Sequence, residues 1–412
     1  MELKTNYQYT YFIHPFYVQP EKYDKYMLKL LKNKKVKLKM FEKEKDFELY
    51  TYFLQNTRDF LFPSFEFTKE KIQKLNDIDV KMKAMLISKH SCSIFEYELP
   101  DKIQGKMGEK SGIFFKIEKI EIICFNTGVC FVSLKTNIEE NKNFSDLLNF
   151  NYMFRETNSE FSNLREYENI KIQADIFKNM KELPEFIYEL TGTNRKEDLY
   201  NQKFFTYTYV CVDSKDWNTT NEFSNIENDF LKLVNVLPSK YNSDFSQEER
   251  KNKAKVIEKW QYSRYGFTKL GGAIISSDID MFNYTKLPYM YETQYFYTLI
   301  LSLYQKVYLK QLSKELASTK NIEKVQKKFA DFTKNVWAKE ITNDETCTTI
   351  HKKWKETFEL DELYKEVKNK YDILYKESNI EKGKNVNKII VLILVASLIL
   401  NIVNLTMMFI IK

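Results

Sequence analysis

Residues 116–138 read KIEKIEIICFNTGVCFVSLKTNI. Two apolar runs rich in Ile, Val, Phe and Cys flank Asn126, Thr127 and Gly128, residue types that accept the tight or positive-φ geometry of a turn. The pattern predicts a β-hairpin, and with it a sheet in the N-terminal part of the chain. Further strands are predicted on either side. Tyr7, Tyr9 and Tyr11 alternate with polar neighbours in NYQYTYF (residues 6–12), the period of two of a half-buried strand, and VKMKAML (residues 80–86) repeats it. FFTYTYVCV, residues 204–212, predicts another strand. After the hairpin, SDLLNFNYMFR (residues 145–155) predicts a helix with Ser145 as N-cap and Asp146 in its first turn. Residues 242–255 are polar and charged, which fits an exposed connection or a surface helix.

From Pro288 the period changes. YETQYFYTLILSLYQKVYLKQLSKELA places Phe296, Ile300 and Leu303 on one face and Tyr297, Leu301, Tyr304 and Tyr308 on another, as in a buried helix. Its apolar core ends at Gln305 and Lys306, too soon for a membrane span. Ile322, Val325, Phe329, Phe332 and Val336 then keep 3,4,3,4 spacing, and Leu360, Tyr364, Val367, Tyr371 and Leu374 repeat it, so two more packed helices are expected. Gly383 could break the last one or sit within a continuous rod.

Residues 389–411 read IIVLILVASLILNIVNLTMMFII, bounded by Lys388 and Lys412. As a helix, 23 residues rise about 34 Å against a hydrocarbon core of about 30 Å. Sixteen of them are Leu, Ile, Val or Phe. At roughly −0.3 kcal/mol each they favour insertion by about 5 kcal/mol, with no full charge opposing. Lys382, Lys384 and Lys388 precede the segment, so a single-pass topology is expected, with the N-terminal part cytoplasmic and the cell membrane as location. Along this helix Asn387, just before the span, and Ile390, Leu394, Ser397, Asn401, Asn404 and Met408 within it share one stripe. Lipid offers amides no partner, so Ser397, Asn401, Asn404 and Met408 are candidates for a helix seam or a pore lining. Position near the headgroups is the third alternative.

Composition narrows the function classes. The chain has 412 residues and a net charge of +7, but its lysines alternate with Glu and Asp, which describes a solvated surface more than a nucleic-acid face. Five dispersed cysteines show no metal spacing, and the N-terminal residues predict no secretory leader. His14, His90 and His351 stand apart from one another. GKMGEKSG (residues 105–112) lacks the glycine spacing and Gly-Lys-Ser order of a phosphate loop and predicts a hairpin tip. No catalytic motif emerges, and no enzyme activity is expected. For binding, Arg264 and Tyr265 lie in KWQYSRYGFTKLGG, where a planar guanidinium among aromatic rings suits a phosphate with a stackable base. Arg155, Asn126 and Thr127 are further candidates, and for each arginine the alternative is a structural one, tying a domain interface together.

Together these readings give an α+β protein in three parts: a mixed α/β ligand-sensing domain over residues 1–285, a helical stalk over 286–388 and a transmembrane helix over 389–411. The order of parts, with YFYTLILSLYQKVYL and WKETFELDELYKEVKNKYDILYK leading into the terminal span, resembles the CorA-like membrane proteins. FNTGVCFVSLKTNI, FSDLLNFNYMFR, SRYGFTKL and VWAKEITND are similar to divergent bacterial CorA-like effectors that accompany type III CRISPR antiviral signalling. The resemblance implies a homo-oligomer, pentamer-like, whose cytoplasmic domain senses a nucleotide messenger such as a conjugate of S-adenosylmethionine and AMP, and whose span gates ions or disrupts the membrane. It leaves a magnesium or other divalent-cation transporter, and a tail-anchored scaffold, as alternatives. Two features depart from CorA transporters: the Gly-Met-Asn signature is absent, with NLTMM (residues 404–408) the nearest stretch, and a second span is missing.

Overall fold

A computed structural model describes residues 3–99, 103–107, 112–138, 143–155, 170–173, 181–192, 203–241, 254–318 and 322–410. It divides into two compact units. One joins Met1–Tyr308 to Thr333–Leu360, and the other joins Leu309–Phe332 to Asp361–Lys412. The helical segment expected over 286–388 therefore contributes to both.

The first unit is built on one sheet. Among the described residues its strands are β1 (Thr5–Tyr17), β2 (Val36–Leu38), β3 (Cys92–Tyr97), β4 (Ile103–Met107), β5 (Ile113–Phe125), β6 (Val129–Asn137), β7 (Ile170–Gln173), β8 (Lys181–Glu182), β9 (Phe205–Val212), β10 (Lys255–Trp260), β11 (Ser263–Phe267) and β12 (Gly271–Ser277). Their order is β10-β11-β12-β9-β1-β6-β5-β4-β7-β8, with β2 on β3 and β3 on β5. β9 and β12 run parallel, and the other described pairs run antiparallel.

The predicted hairpin is β5–β6, closed by the Cys124–Cys130 pair. Gly128 has φ +89°, and a Cβ there would stand 2.2 Å from the Val18 carbonyl oxygen, so the turn requires glycine twice over. β5 shares one edge between two partners. Ile113–Ile117 pair with β4 and Glu121–Phe125 with β3, while the register against β6 slips between Ile117 and Lys119. The tip expected over residues 105–112 begins instead as strand. Gly105 lies in β4 under the Phe115 ring, where a Cβ would come within 2.1 Å of the ring, and residues 108–111 lie outside the described set.

Helices of this unit are α1 (Tyr23–Lys32), α2 (Phe47–Tyr52), α3 (Gln55–Leu61), α4 (Lys69–Asp77), α5 (Val80–Ile87), α6 (Phe144–Phe154), α7 (Leu183–Thr191), α8 (Phe223–Asn235), α9 (Met281–Thr285) and α10 (Leu287–Met290). A π-turn, Tyr291–Tyr295, leads into α11 (Phe296–Ser318), followed by α12 (Ile322–Asn335), α13 (Glu345–Phe358) and α14 (Leu360–Ile410). On one face of the sheet, alternate residues of β1, β5, β6 and β9 such as Phe12, Ile122, Val132 and Val210 form a core with α1, α6, α7 and α8. The opposite face is aromatic: Tyr11 meets Phe296 at 4.5 Å and Tyr207 stacks on Tyr291 at 4.6 Å.

Residues 80–86 are not a strand. They form α5, started by the Asp79 side chain accepting the Lys81 N–H, with Ala84 and Ile87 turned inward. The helix over 145–155 is found one residue earlier as α6, and Asn143, not Ser145, holds the N-cap position. Strands at β1 and β9 and the buried α11 match expectation, whereas of the connection read over residues 242–255 all but the last two residues lie outside the described set, and there Ala254 is buried and Lys255 opens β10.

In the second unit, the described end of α11 and the first part of α14 meet through Ser313 Oγ, which donates to Glu366 at 2.9 Å, and Lys370, which donates to both Ser313 and Glu366. Phe329 of α12 packs on Tyr364 at 5.1 Å, and Val325, Phe332 and Val367 are buried. α14 is continuous through Gly383 for 51 residues, about 77 Å of helix at roughly 1.5 Å per residue.

Candidate functional site

The span expected near the C-terminus is part of α14. Val386–Val403 is long and apolar enough to cross a membrane, and none of that window is buried against the rest of the protein. Asn387, Ile390, Leu394, Ser397 and Asn401 are exposed and, in a regular helix, share one side. The stripe therefore continues without a break in the backbone. Asn404 and Met408 extend it in sequence, but their side chains lie outside the described residues.

The five ligand candidates are dispersed over the first unit. Arg264 is in β11, buried at 8% exposure, with its guanidinium 4.6 Å from the Phe223 ring centre and 5.7 Å from that of Trp217. Its Nη1 donates to the carbonyls of Trp260 and Ser263, which clamps the β10–β11 turn. Burial lowers its pKa, with Glu258 opposing. Tyr265, one residue on, points to the other face and stacks on Trp260 at 4.8 Å. Arg155 ends α6, and its carbonyl accepts from the Phe204 N–H. Asn126 and Thr127 sit in the β5–β6 turn, where the Asn126 N–H donates to Ser91. Registers put Arg264 level with Gln8 of β1 and the turn beyond Tyr17, so the structure does not bring these residues together. Arg264 instead serves the fold, filling its own aromatic box.

A charged network that the sequence reading did not single out lies on the aromatic face of the sheet. Glu121 of β5 has 1% exposure, and its Oε1 accepts from Lys39 Nζ at 3.1 Å and Tyr297 at 3.5 Å, with Lys119 Nζ at 3.0 Å. Burial pushes this carboxyl up, but Lys119 and then Lys39 outweigh it and hold it at about 2. Lys135 of β6 bridges Glu118 at 3.0 Å and Glu292 of the π-turn at 2.7 Å, and lies 4.1 Å from the centre of the Tyr9 ring. Glu121 Oε2, Ser133 Oγ and the Tyr11 hydroxyl are buried without a hydrogen-bond partner among the described residues. With its carboxylate ionised throughout the neutral range, this network is suited to fixing the π-turn on the sheet, not to moving a proton. Its sequence signal was present: Glu118, Lys119 and Glu121 interrupt the apolar run of β5, and Lys135 interrupts that of β6 beside it.

The thiols point the same way. All five cysteines are unpaired and buried, and burial raises Cys92 and Cys124, Cys211 to about 11 and Cys347 to about 12, so these four are not primed as nucleophiles. The chain matches no protein-family model, no curated protein and no solved structure.

Proposed function

We propose that this chain is a membrane-anchored effector that acts as a homo-oligomer, its span associating with copies of itself along the stripe of Ser397, Asn401 and Asn404. The observation that carries this reading is the exposed apolar window Val386–Val403 with Ser397 and Asn401 on one side of an unbroken helix. An amide facing hydrocarbon gains a partner when helices pair, at about 0.6–2 kcal/mol per contact. The sheet-based unit stands in the cytoplasm, following the lysines before the span, and senses a small ligand. The sequence resemblance to CorA-like effectors supports an adenine-nucleotide messenger as that ligand and ion conduction or membrane disruption as the output.

Native mass spectrometry of the full chain in detergent tests the assembly, with bilayer conductance measured with and without adenine-based messengers. A ring of four or more copies that conducts only with messenger is the expected result. A monomer under every condition overturns the oligomer, and ion flux without messenger favours a cation transporter instead.

A further inference from the structure

Two exposed apolar patches of the first unit take no part in the features above. One is at the N-terminal end of β1, where Tyr7 stacks on Tyr284 at 6.5 Å and Ile279, Met281 and Phe282 stand out beside them, Met281 at 66% exposure. Asp278 organises it, accepting from the Asn6 side chain at 2.5 Å and the Ser214 N–H at 2.6 Å, while Asp280 caps α9 through the Phe282 N–H. Asp213, Asp216, Asp278 and Asp280 around it outnumber Lys4, Lys215 and Lys286.

The other patch is the outer face of α5, formed by Met82, Met85 and Leu86, with Met85 at 59% exposure. Residues 69–90, which contain it, carry six lysines against three carboxylates. Its place is at the opposite end of β1. The Ile87 carbonyl accepts from Ser93, and Ser93, Cys124, Cys130 and Phe16 follow one another across the sheet. Between Thr5 and Tyr17, β1 spans about 40 Å at roughly 3.3 Å per residue.

We propose that the two patches are the halves of one heterologous contact, the aspartate-flanked Met281–Phe282 patch of one copy docking on the lysine-flanked Met82–Met85–Leu86 face of the next. Each patch exposes at least three large apolar side chains, and the charged residues around them differ in sign, four aspartates to three lysines against six lysines to three carboxylates. Pairing the lysine-flanked face with itself would oppose like charges, so a head-to-tail contact is favoured over a two-fold one. Such contacts close into rings or run on as filaments. The inference rests on the homo-oligomeric reading above and adds to it the surface by which the sheet-based units meet.

Cross-linking tests it. Full-length copies carrying Met281→Cys and Met85→Cys, on separate tags, are co-expressed, purified in detergent and treated with a short bismaleimide. The five native cysteines are buried, so background labelling is low. A mixed dimer at least tenfold above that of either variant alone is expected. Absence of the mixed product, or an equal product from Met281→Cys alone, overturns the proposal. Asn401→Cys, cross-linked to itself across the span, separates the two readings. If it links while the mixed pair does not, the membrane seam stands and the docking contact falls. If neither links and the mass is that of a monomer, both fall.

Discussion

Glu121 is a carboxylate with almost no access to water, and it stays charged because two ammonium groups share one of its oxygens. Glu121→Gln removes that anion and leaves Lys39 and Lys119 facing each other. A loss of about 3–5 kcal/mol is expected, readable as a lower urea midpoint of the detergent-solubilised chain. The native residue also makes stability depend on pH in a defined direction. Its folded pKa, about 2, is below the usual 4.5, so its contribution is complete above pH 4.5 and is lost as pH falls towards 2. An acid titration that finds stability unchanged between those limits would contradict the network. Gly128 makes a second residue-scale prediction. Gly128→Ala meets both a positive φ and the Val18 carbonyl, and should destabilise by about 2 kcal/mol or more, against a few tenths for an exposed site such as Lys37→Ala.

At the scale of elements, α14 carries the prediction nearest to function. Replacing Asn401 and Asn404 together by Leu should leave membrane insertion intact while lowering the yield of cross-linked oligomer several-fold. Unchanged yield and conductance would make the asparagines bystanders. The same scale shows what was legible in the sequence. The β5–β6 hairpin, β1, β9, α11 and the apolar span could be read because each carries a strong period over its whole length or a turn residue that nothing else replaces. VKMKAML was misread because seven residues with apolar positions at 80, 82, 84 and 86 satisfy alternation while Ala84 and Ile87 also satisfy a helical face. Asp79, one residue before, was the available arbiter as an N-cap. Arg264 looked like a ligand arginine because its aromatic neighbours in sequence are binding-site types. Its partners Trp217 and Phe223 come from more than forty residues away, and they convert it into a packed strut.

For the whole molecule, the division into two units predicts separable behaviour. A chain ending at Lys376 lacks the apolar window and should remain in the aqueous phase after centrifugation, whereas the full chain should pellet with membranes. If the full chain stayed soluble without detergent, the span reading would fail. The charged network was invisible as a unit because its members come from the stretch after β2, from β5 and β6, from the π-turn and from α11, and only the folded sheet with the helix packed on it brings them together.

That register has a consequence for how the protein is made. β1 leaves the ribosome before either of its partners, yet it lies mid-sheet between β6 and β9. One flank can close once residue 137 has emerged, and the other must wait for residue 212. At about 5–20 residues per second, β1 spends on the order of 10–40 s with at least one row of amides unpaired. The nascent chain thus passes through a long interval in which a tyrosine-rich strand offers an open edge, and holdase chaperones would find their substrate there well before the span is synthesised.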